Sequence, residues 1–326
     1  MLNKSKGVSY AKYGYIFILP FVLVFLAFML YPLIYTFVIG FTDLRGLLAS
    51  EMHFLDDPFA NYKAIISNVT FQNSLKTTIL LWVINFIPQI TLALLLTAWF
   101  TNNSRKIVGQ GVFKVLFYLP NIITSASLAI LFSNLFAAPA GPANDVLMQL
   151  GFFSEPYQFL VNGWVTRFIV AFIQFWMWYG YTTIILISGV LGINPELFES
   201  AEIDGATPTQ TFFKITLPCM RTILIYTLIT ALIGGLNMFD IPKMLVFNGG
   251  PGNATMTASV FIYIKAFTGT YFYNEASAAS MLLFVIIAIL SVVVFFLMRD
   301  RTDEKVKQNA ARRKKQVAKL EKEAAK

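Results

Sequence analysis

Long uncharged stretches alternate along the chain with short segments that carry most of its charged residues. A helix needs roughly 20 residues to cross about 30 Å of hydrocarbon. Six stretches approach or exceed that length, and they cover residues 13–42, 77–104, 115–144, 168–195, 222–239 and 276–298. The pattern therefore predicts an all-α, polytopic bundle with six transmembrane spans.

A seventh uncharged stretch, residues 244–264, is not expected to cross the membrane. It contains Asn248-Gly249-Gly250-Pro251-Gly252-Asn253, a run of turn-forming residues. Lipid cannot satisfy the exposed backbone groups of such a turn. We therefore expect an extramembrane loop here, followed by a short helix over residues 259–267.

Composition agrees with a membrane protein and excludes several kinds of chemistry. Hydrophobic residues make up 57% of the chain and charged residues only 13%, whereas a soluble domain carries about 25% charge. A single cysteine, Cys219, and a single histidine, His53, argue against a disulfide framework, a metal centre and Ser-His catalysis. No catalytic or metal-binding residue is expected, which disfavours the remaining alternative of a membrane-embedded enzyme such as an acyltransferase.

The distribution of the 25 Lys and Arg residues predicts the orientation of the spans. Most of them fall in segments that lie on one side if the N-terminus is cytoplasmic, and cytoplasmic loops are the ones enriched in Lys and Arg. We therefore expect a cytoplasmic N-terminus (1–12), a six-span domain (13–298) and a basic cytoplasmic tail (299–326). The tail is interpreted as a solvated anchor attracted to anionic membrane lipid, and nothing supports a nucleic-acid partner.

The cytoplasmic loop between the fourth and fifth predicted spans, residues 194–218, has the signals of two short helices. Asn194 can cap the first helix, Pro195 suits its first position, and Gly205 supplies a left-handed residue at its end. Thr207 and Gln210 form a capping box for the second helix. Pro218 is expected to end that helix and to begin the fifth span.

The first of these helices is predicted to have two distinct faces. Apolar and acidic positions separate at helical spacing, with Leu197, Phe198 and Ala201 on one side and Glu196, Glu199 and Glu202 on the other. Such a helix could fit a socket on a soluble partner, or it could rest on the membrane surface. The pattern alone leaves both interpretations open.

The spacing of residues in this loop resembles a known family motif. Glu199-Ser200-Ala201, then Gly205, then Ile215-x-Leu217-Pro218 is similar to the EAA motif of membrane subunits of ATP-binding-cassette importers, with Ser200 where Ala is usual. Further stretches resemble the maltose-type first permease subunit of bacterial carbohydrate importers, namely Asn61-Tyr62, Leu119-Pro120 and the turn at 248–253. The resemblance covers roughly residues 10–298 and implies the type I importer permease fold.

The resemblance implies a permease of the bacterial inner membrane that works in a complex. Its expected partners are a second homologous permease, two cytoplasmic ATPase subunits and an extracytoplasmic solute-binding protein. The chain has no Gly-x-x-x-x-Gly-Lys-Ser/Thr sequence, so ATP and Mg²⁺ are expected on the ATPase and no cofactor is expected here. The residues expected to couple to the ATPase are Glu199, Ala201, Asp204, Gly205, Ile215, Leu217 and Pro218.

A face of the fourth predicted span combines groups that suit a sugar. Residues 174, 177, 178 and 181 share one helical face, and aromatic rings and amides match the C–H surfaces and hydroxyls of a saccharide. An ordinary packing stripe would have the same spacing. The family contacts cargo from this part of the chain, which implies a binding role for Gln174, Met177, Trp178 and Tyr181.

The span after the loop also lines the cargo site in that family. The corresponding face here contains Ala231, Gly234 and Gly235, and polar contacts could shift to Asn237 and Asp240. Gly234, Gly235 and Asn237 are therefore expected substrate-binding positions, although small residues also permit close helix packing.

Two cargo classes remain open from the sequence. The main expectation is a sugar or oligosaccharide, and the alternative is glycerol-phosphate or another polyol ester. A phosphate ester would need basic residues near the pathway, and Arg167 and Lys243 are the candidates.

Overall fold

The structure is a computed structural model that describes residues 11–47, 51–102, 107–269 and 271–299. The predicted N-terminal segment and basic tail lie almost entirely outside these residues. The α-helices of the described part are α1 (Ala11–Phe25), α2 (Tyr31–Ile39), α3 (Ala60–Ser67), α4 (Val69–Phe100), α5 (Gln110–Ile122), α6 (Ser125–Leu135), α7 (Pro142–Gln149), α8 (Gly163–Leu191), α9 (Pro195–Ile203), α10 (Pro208–Thr211), α11 (Leu217–Cys219), α12 (Arg221–Leu236), α13 (Asp240–Met244), α14 (Ala258–Phe267) and α15 (Tyr273–Met298).

The all-α prediction is confirmed, and five of the six predicted spans form segments long and apolar enough to cross a membrane. They are Tyr13–Ile39, Val69–Phe100, Gly163–Leu191, Arg221–Met244 and Tyr273–Met298. The first contains a single π-helical turn, Leu26–Leu30, between α1 and α2. Because the helices extend beyond the uncharged stretches, Lys76 and Arg167 lie inside helices rather than in loops.

The prediction of one helix over residues 115–144 is wrong. The chain leaves helical geometry at Ile123 (φ −75, ψ 136) and Thr124 (φ −65, ψ 142), which separates α5 from α6. Thr124 then caps α6, since its Oγ1 accepts a hydrogen bond from the Ser127 N–H at 3.2 Å. The stretch forms a sixth span only if this bent pair is counted together.

The described residues fall into two compact units, and α4 and α8 contribute to both. Unit 1 comprises residues up to 84 together with 124–173 and 236–286, and unit 2 comprises 85–123, 174–235 and the residues from 287 onward.

In unit 1, a buried amide ties three segments together. Asn61 on α3 donates through Nδ2 to the carbonyl oxygens of Gly40 (3.0 Å) and Thr42 (2.8 Å), just after α2. Its Oδ1 accepts a hydrogen bond from Asn274 Nδ2 of α15 at 3.0 Å. These bonds satisfy backbone carbonyls at the end of α2 that have no partner within that helix. We call this set of contacts the amide clasp.

The predicted loop and short helix at 244–267 are confirmed, also in unit 1. The turn residues Gly249, Gly250 and Gly252 all have positive φ, as the glycine-rich sequence requires. The following helix α14 buries Ala258, Val260, Phe261 and Ala266. Its first turn is capped from two sides, because the Ala258 N–H donates to Thr78 Oγ1 (2.9 Å) and the Val260 N–H donates to Thr257 Oγ1 (3.3 Å).

In unit 2, two glycines set the distances between helices. A Cβ at Gly180 of α8 would lie 1.8 Å from the carbonyl oxygen of Phe117 on α5, and a Cβ at Gly189 would lie 3.1 Å from Ile223 of α12. α8 is also joined to α4 by a buried hydrogen bond, in which Gln89 Nε2 of α4 donates to Thr182 Oγ1 at 2.8 Å. Small residues and interhelical amide bonds are the usual means of helix association in lipid.

Candidate functional site

The two helices expected in the 194–218 loop are present, and their caps form as predicted. The side chain of Asn194 accepts a hydrogen bond from the Glu196 N–H at 3.1 Å. At the other end of α9, Gly205 has φ +75. The Gly205 N–H donates to Glu202 O (3.0 Å) and the Ala206 N–H donates to Ala201 O (2.9 Å). This pair of bonds is the Schellman motif.

The second helix begins with the predicted capping box. The Gln210 N–H donates to Thr207 Oγ1 at 3.3 Å, and the Thr207 N–H donates to Gln210 Oε1 at 2.8 Å. Two capped helices joined by a single left-handed residue give this loop a defined shape, which is what a docking element needs.

The apolar side of α9 packs onto the rest of unit 2. Phe198 contacts a buried cluster formed by Ala93 of α4, Leu186 and Val190 of α8, and Met220. Ala201 is only 7% exposed, and its small side chain allows α9 to approach this surface closely. Of the predicted apolar face, only Leu197 is exposed.

The acidic side of α9 faces outward, as predicted. Glu196, Glu199 and Glu202 are exposed, and so are Asp204 and Gly205 at the end of the helix. The loop therefore presents carboxylates and a helix end to its surroundings, while Phe198 and Ala201 fix it to the protein.

The prediction that Pro218 ends the second helix and starts the fifth span is wrong. After α10 the chain makes a π-helical turn, Phe212–Thr216, and Pro218 then occupies an early position of α11. Proline is tolerated there because the first helical N–H groups need no partner within the helix. The break instead comes at Met220 (φ −88, ψ 12), and α12 begins at Arg221.

The last three expected coupling residues lie along this continuation. Ile215 and Leu217 are half-buried and Pro218 is exposed. Leu217 packs against the same buried cluster as Phe198. Leu217, near the end of the motif, thus packs against the same buried cluster that holds α9 in place.

The four residues expected to bind cargo on α8 do not share one environment. Met177 is buried, Gln174 and Tyr181 are half-buried, and Trp178 is 41% exposed. The rings of Trp178 and Tyr181 are T-shaped, with centroids 5.7 Å apart. This pair forms an open aromatic surface, whereas Met177 belongs to the interior.

The expected residues beyond α8 lie at or just after the end of α12. Gly234 is exposed, and a Cβ built there would meet nothing within 4 Å, so close packing does not account for this glycine. Gly235 is half-buried at the end of α12, and Asn237 lies in the exposed turn that follows it. Asp240 is exposed in the first turn of α13.

The two cations considered for a phosphate ester are held in packing contacts of unit 1. Arg167 Nε donates to the Ala254 carbonyl at 2.8 Å, and its guanidinium lies 4.7 Å from the ring centroid of Trp164. Lys243 Nζ lies 5.1 Å from the centroid of Tyr263 and 5.6 Å from that of Phe247. These contacts give the phosphate alternative no support.

Sequence reasoning missed two further polar features of unit 2. Gln89 is buried and hydrogen-bonded to α8. The sequence signal that could have identified it is a pair of amides, Asn85 and Gln89, four residues apart in an apolar stretch. The second feature is Tyr226 on α12, which is 51% exposed and lies beside Tyr181. Only the packing of α12 beside α8 reveals that contact.

Comparison with known proteins identifies similar sequences and folds. Residues 77–308 match the family described as "Binding-protein-dependent transport system inner membrane component". The arabinooligosaccharides transport system permease protein of Bacillus subtilis (strain 168) is 31% identical over 262 residues, covering 80% of this chain and 79% of that protein. The lactose transport system permease protein of Rhizobium radiobacter is 28% identical, covering 78% of this chain and 83% of the relative.

Two further similarities extend the comparison. The trehalose/maltose transport system permease protein of Thermococcus litoralis is 29% identical, covering 82% of this chain and 89% of that protein. Among solved structures, a chain of a bacterial ABC transporter involved in the import of the acidic polysaccharide alginate superposes with a TM-score of 0.70 at 23% identity. That match covers 88% of this chain and 95% of the other, and it shows a shared fold.

Proposed function

The chain belongs to the family of inner membrane components of binding-protein-dependent transport systems, and from that premise we propose that it forms half of the pathway of an ATP-driven sugar or oligosaccharide importer. The observation that carries the cargo class is the aromatic pair on α8 formed by the exposed Trp178 and the half-buried Tyr181. Aromatic faces pack against the C–H surfaces of sugars. Tyr226 adds a hydroxyl beside this pair.

The names of the relatives support the same class. Those three proteins are described as permeases for arabinooligosaccharides, lactose and trehalose/maltose. All are neutral saccharides, and the aromatic pair carries no charge. The contacts that occupy Arg167 and Lys243 make the phosphate ester the weaker alternative.

The 194–218 loop is proposed to couple the pathway to a cytoplasmic ATPase that binds ATP and Mg²⁺. Its exposed carboxylates, Glu199 and Asp204 among them, can pair with Lys or Arg in a socket, which improves the specificity and rate of docking. Because Phe198 and Ala201 fix α9 to α4 and α8, a movement of the socket would be transmitted directly to these two spans.

A second permease is the other proposed membrane partner. Between Tyr13 and Val38, no residue of the first span is buried, so this span has the surface available for packing against another subunit. A solute-binding protein on the outer side completes the proposed complex, and a solved neighbour is described in complex with a pentasaccharide-bound periplasmic protein. We place the assembly in a bacterial plasma membrane with both termini cytoplasmic.

Uptake by cells that express the complete transport system tests the cargo class. The probes are radiolabelled arabino-oligosaccharide, lactose, maltose, trehalose and glycerol 3-phosphate. We expect at least one saccharide to be taken up, and Trp178→Ala to reduce its uptake about five- to thirtyfold, because losing one such contact costs about 1–2 kcal/mol. The control is Phe284→Ala, which removes an exposed ring on α15.

Two results would contradict the proposal. Uptake of glycerol 3-phosphate alone would transfer the assignment to the phosphate ester. Unchanged saccharide kinetics in Trp178→Ala would show that the ring is a packing or lipid-facing residue.

A further inference from the structure

A cavity of about 610 Å³ lies beneath the coupling loop, entirely within unit 2. One wall is the last three turns of α4, and the other is formed by α9, α10 and the π-helical turn that follows. The volume is comparable to that of sites for small organic ligands. None of the cargo-face residues on α8 contributes to it, so this cavity is separate from the proposed transport site.

After Thr91, the lining changes from apolar to polar toward the end of α4. Leu94, Leu95 and Ala98 line the part nearer the middle of the span, and Thr101 and Asn102 line the part where the helix has ended. From residue 91 to residue 102 the distance is about 16 Å at the rise of an α-helix. Trp99 also lines the cavity and is 49% exposed, which is typical of a residue at the membrane interface.

The charge of the cavity is negative. Among the described residues that line it, Glu202 is the only one with an ionisable side chain, and the other polar groups there are the hydroxyls of threonines and the amide of Asn102. The carboxylate suits a cationic group, and hydroxyl and amide donors suit the oxygens of a phosphodiester.

We propose that this cavity binds a membrane phospholipid whose headgroup carries a primary ammonium. The ammonium pairs with Glu202, a phosphodiester oxygen accepts a hydrogen bond from the Thr209 hydroxyl, and an acyl chain lies against Leu94, Leu95 and Ala98. In the proposed orientation, the polar end of the cavity lies at the depth of the inner-leaflet headgroups. The lipid would then contact both α4 and the coupling loop.

A primary ammonium is favoured over the other common headgroups for physical reasons. A choline headgroup bears methyl groups in place of N–H donors, so it cannot donate hydrogen bonds to a carboxylate. A glycerol headgroup carries no cation to pair with Glu202 or to balance the phosphate, so the net negative charge of that lipid is repelled by the carboxylate. The headgroup preference is therefore the property that distinguishes this site from nonspecific lipid contact.

Lipid retention by the purified complex tests the proposal. The complex is reconstituted into vesicles with equal parts of phosphatidylethanolamine, phosphatidylcholine and phosphatidylglycerol, extracted in mild detergent, and analysed by native mass spectrometry with dissociation of this subunit. We expect this subunit to retain phosphatidylethanolamine over the other two. Glu202→Gln should reduce that preference about three- to fivefold, because a partly exposed ion pair contributes at most about 1 kcal/mol.

Two variants serve as controls of position and volume. Glu155→Gln removes an exposed carboxylate that lies outside both the cavity and the coupling loop, so it should retain the wild-type preference. Ala98→Trp places a large ring in the apolar part and should abolish retention of all three lipids. If Ala98→Trp fails to accumulate, the comparison of Glu202→Gln with Glu155→Gln still decides the question.

Three outcomes would overturn the proposal. The first is equal retention of all three lipids by the wild type, and the second is an equal effect of Glu202→Gln and Glu155→Gln. The third is an intact complex that holds no lipid and in which a cross-linking residue at position 98 captures an ATPase peptide instead. The proposal relies on the orientation assigned with the proposed function, but the measurement needs no transport. A wrong cargo class would therefore appear in the uptake panel while lipid retention remained unchanged.

Discussion

Replacing Gly205 by valine tests the backbone conformation of the coupling loop separately from its side-chain contacts. Gly205 has φ +75, a conformation that costs a residue with a Cβ about 1–2 kcal/mol. A Cβ at this position would meet nothing within 4 Å, so no steric clash adds to that cost. Valine is a genuine outlier there because it is β-branched, and we expect the cost to lie at the upper end of the range.

The cost can be converted into an effect on docking. If the ATPase binds only the loop with its Schellman end intact, relaxation of the free loop weakens association by up to about 5- to 30-fold. The two hydrogen bonds at stake are those from the Gly205 and Ala206 N–H groups. We therefore expect Gly205→Val to reduce both the amount of ATPase that co-purifies and the ATP hydrolysis stimulated by the loaded binding protein.

Asparagine provides the matched control at the same position. It adopts the left-handed conformation far more readily than valine does, so Gly205→Asn should retain most of the wild-type association. Both variants should reach the membrane in normal amount because the position lies outside the spans. Equal losses in the two variants would show that side-chain bulk matters rather than backbone conformation, and no loss in either would remove this loop from the coupling mechanism.

Three further predictions follow from the packing and the charge pattern. Gly180→Ala should destabilise the protein by about 3 kcal/mol, since overpacking costs about 1–3 kcal/mol. The yield and the melting temperature of the detergent-solubilised protein measure this, with Gly111→Ala as the control because a Cβ there meets nothing. Equal melting temperatures of the two variants would contradict the close approach of α8 to α5. Asn61→Ala should lower the stability of the protein by about 2 kcal/mol or more, because it leaves buried carbonyls without donors. Limited proteolysis of the segments joined by the amide clasp measures this loss, and unchanged cleavage rates would refute the role of the clasp. A reporter fused after Asp300 should be cytoplasmic and one inserted at Gly252 external, whereas finding both on the same side would overturn the six-span topology.

Local signals in the sequence were sufficient to predict the two capped helices of the coupling loop. Caps, proline positions and left-handed glycines depend on residues within about five positions of each other, and the structure confirms Asn194, Gly205 and the Thr207–Gln210 box. The bend before α6 has a local signal as well, Thr124 followed by Ser127. It was missed because counting uncharged residues takes no account of caps inside an apolar stretch.

The orientation of side chains within the spans could not be predicted in the same way. Met177 and Trp178 are adjacent in sequence, yet Met177 is buried and Trp178 is exposed. The difference depends on where α4, α5 and α12 contact α8, and these contacts join residues far apart in the chain. Helical periodicity identifies which residues share a face, but only packing decides which face is covered.

The contact between Arg221 and the end of α15 has a practical consequence. Arg221 donates hydrogen bonds to the Met298 carbonyl and, at 3.1 Å, to the Arg299 carbonyl, so the chain leaves α15 beside the first residue of α12. The coupling loop ends only a few residues before Arg221. A fluorescent protein fused directly after α15 would therefore crowd the coupling loop, the surface proposed to dock the ATPase. This holds for either orientation of the chain in the membrane. A purification tag is better placed at the N-terminus or after the full length of the natural tail.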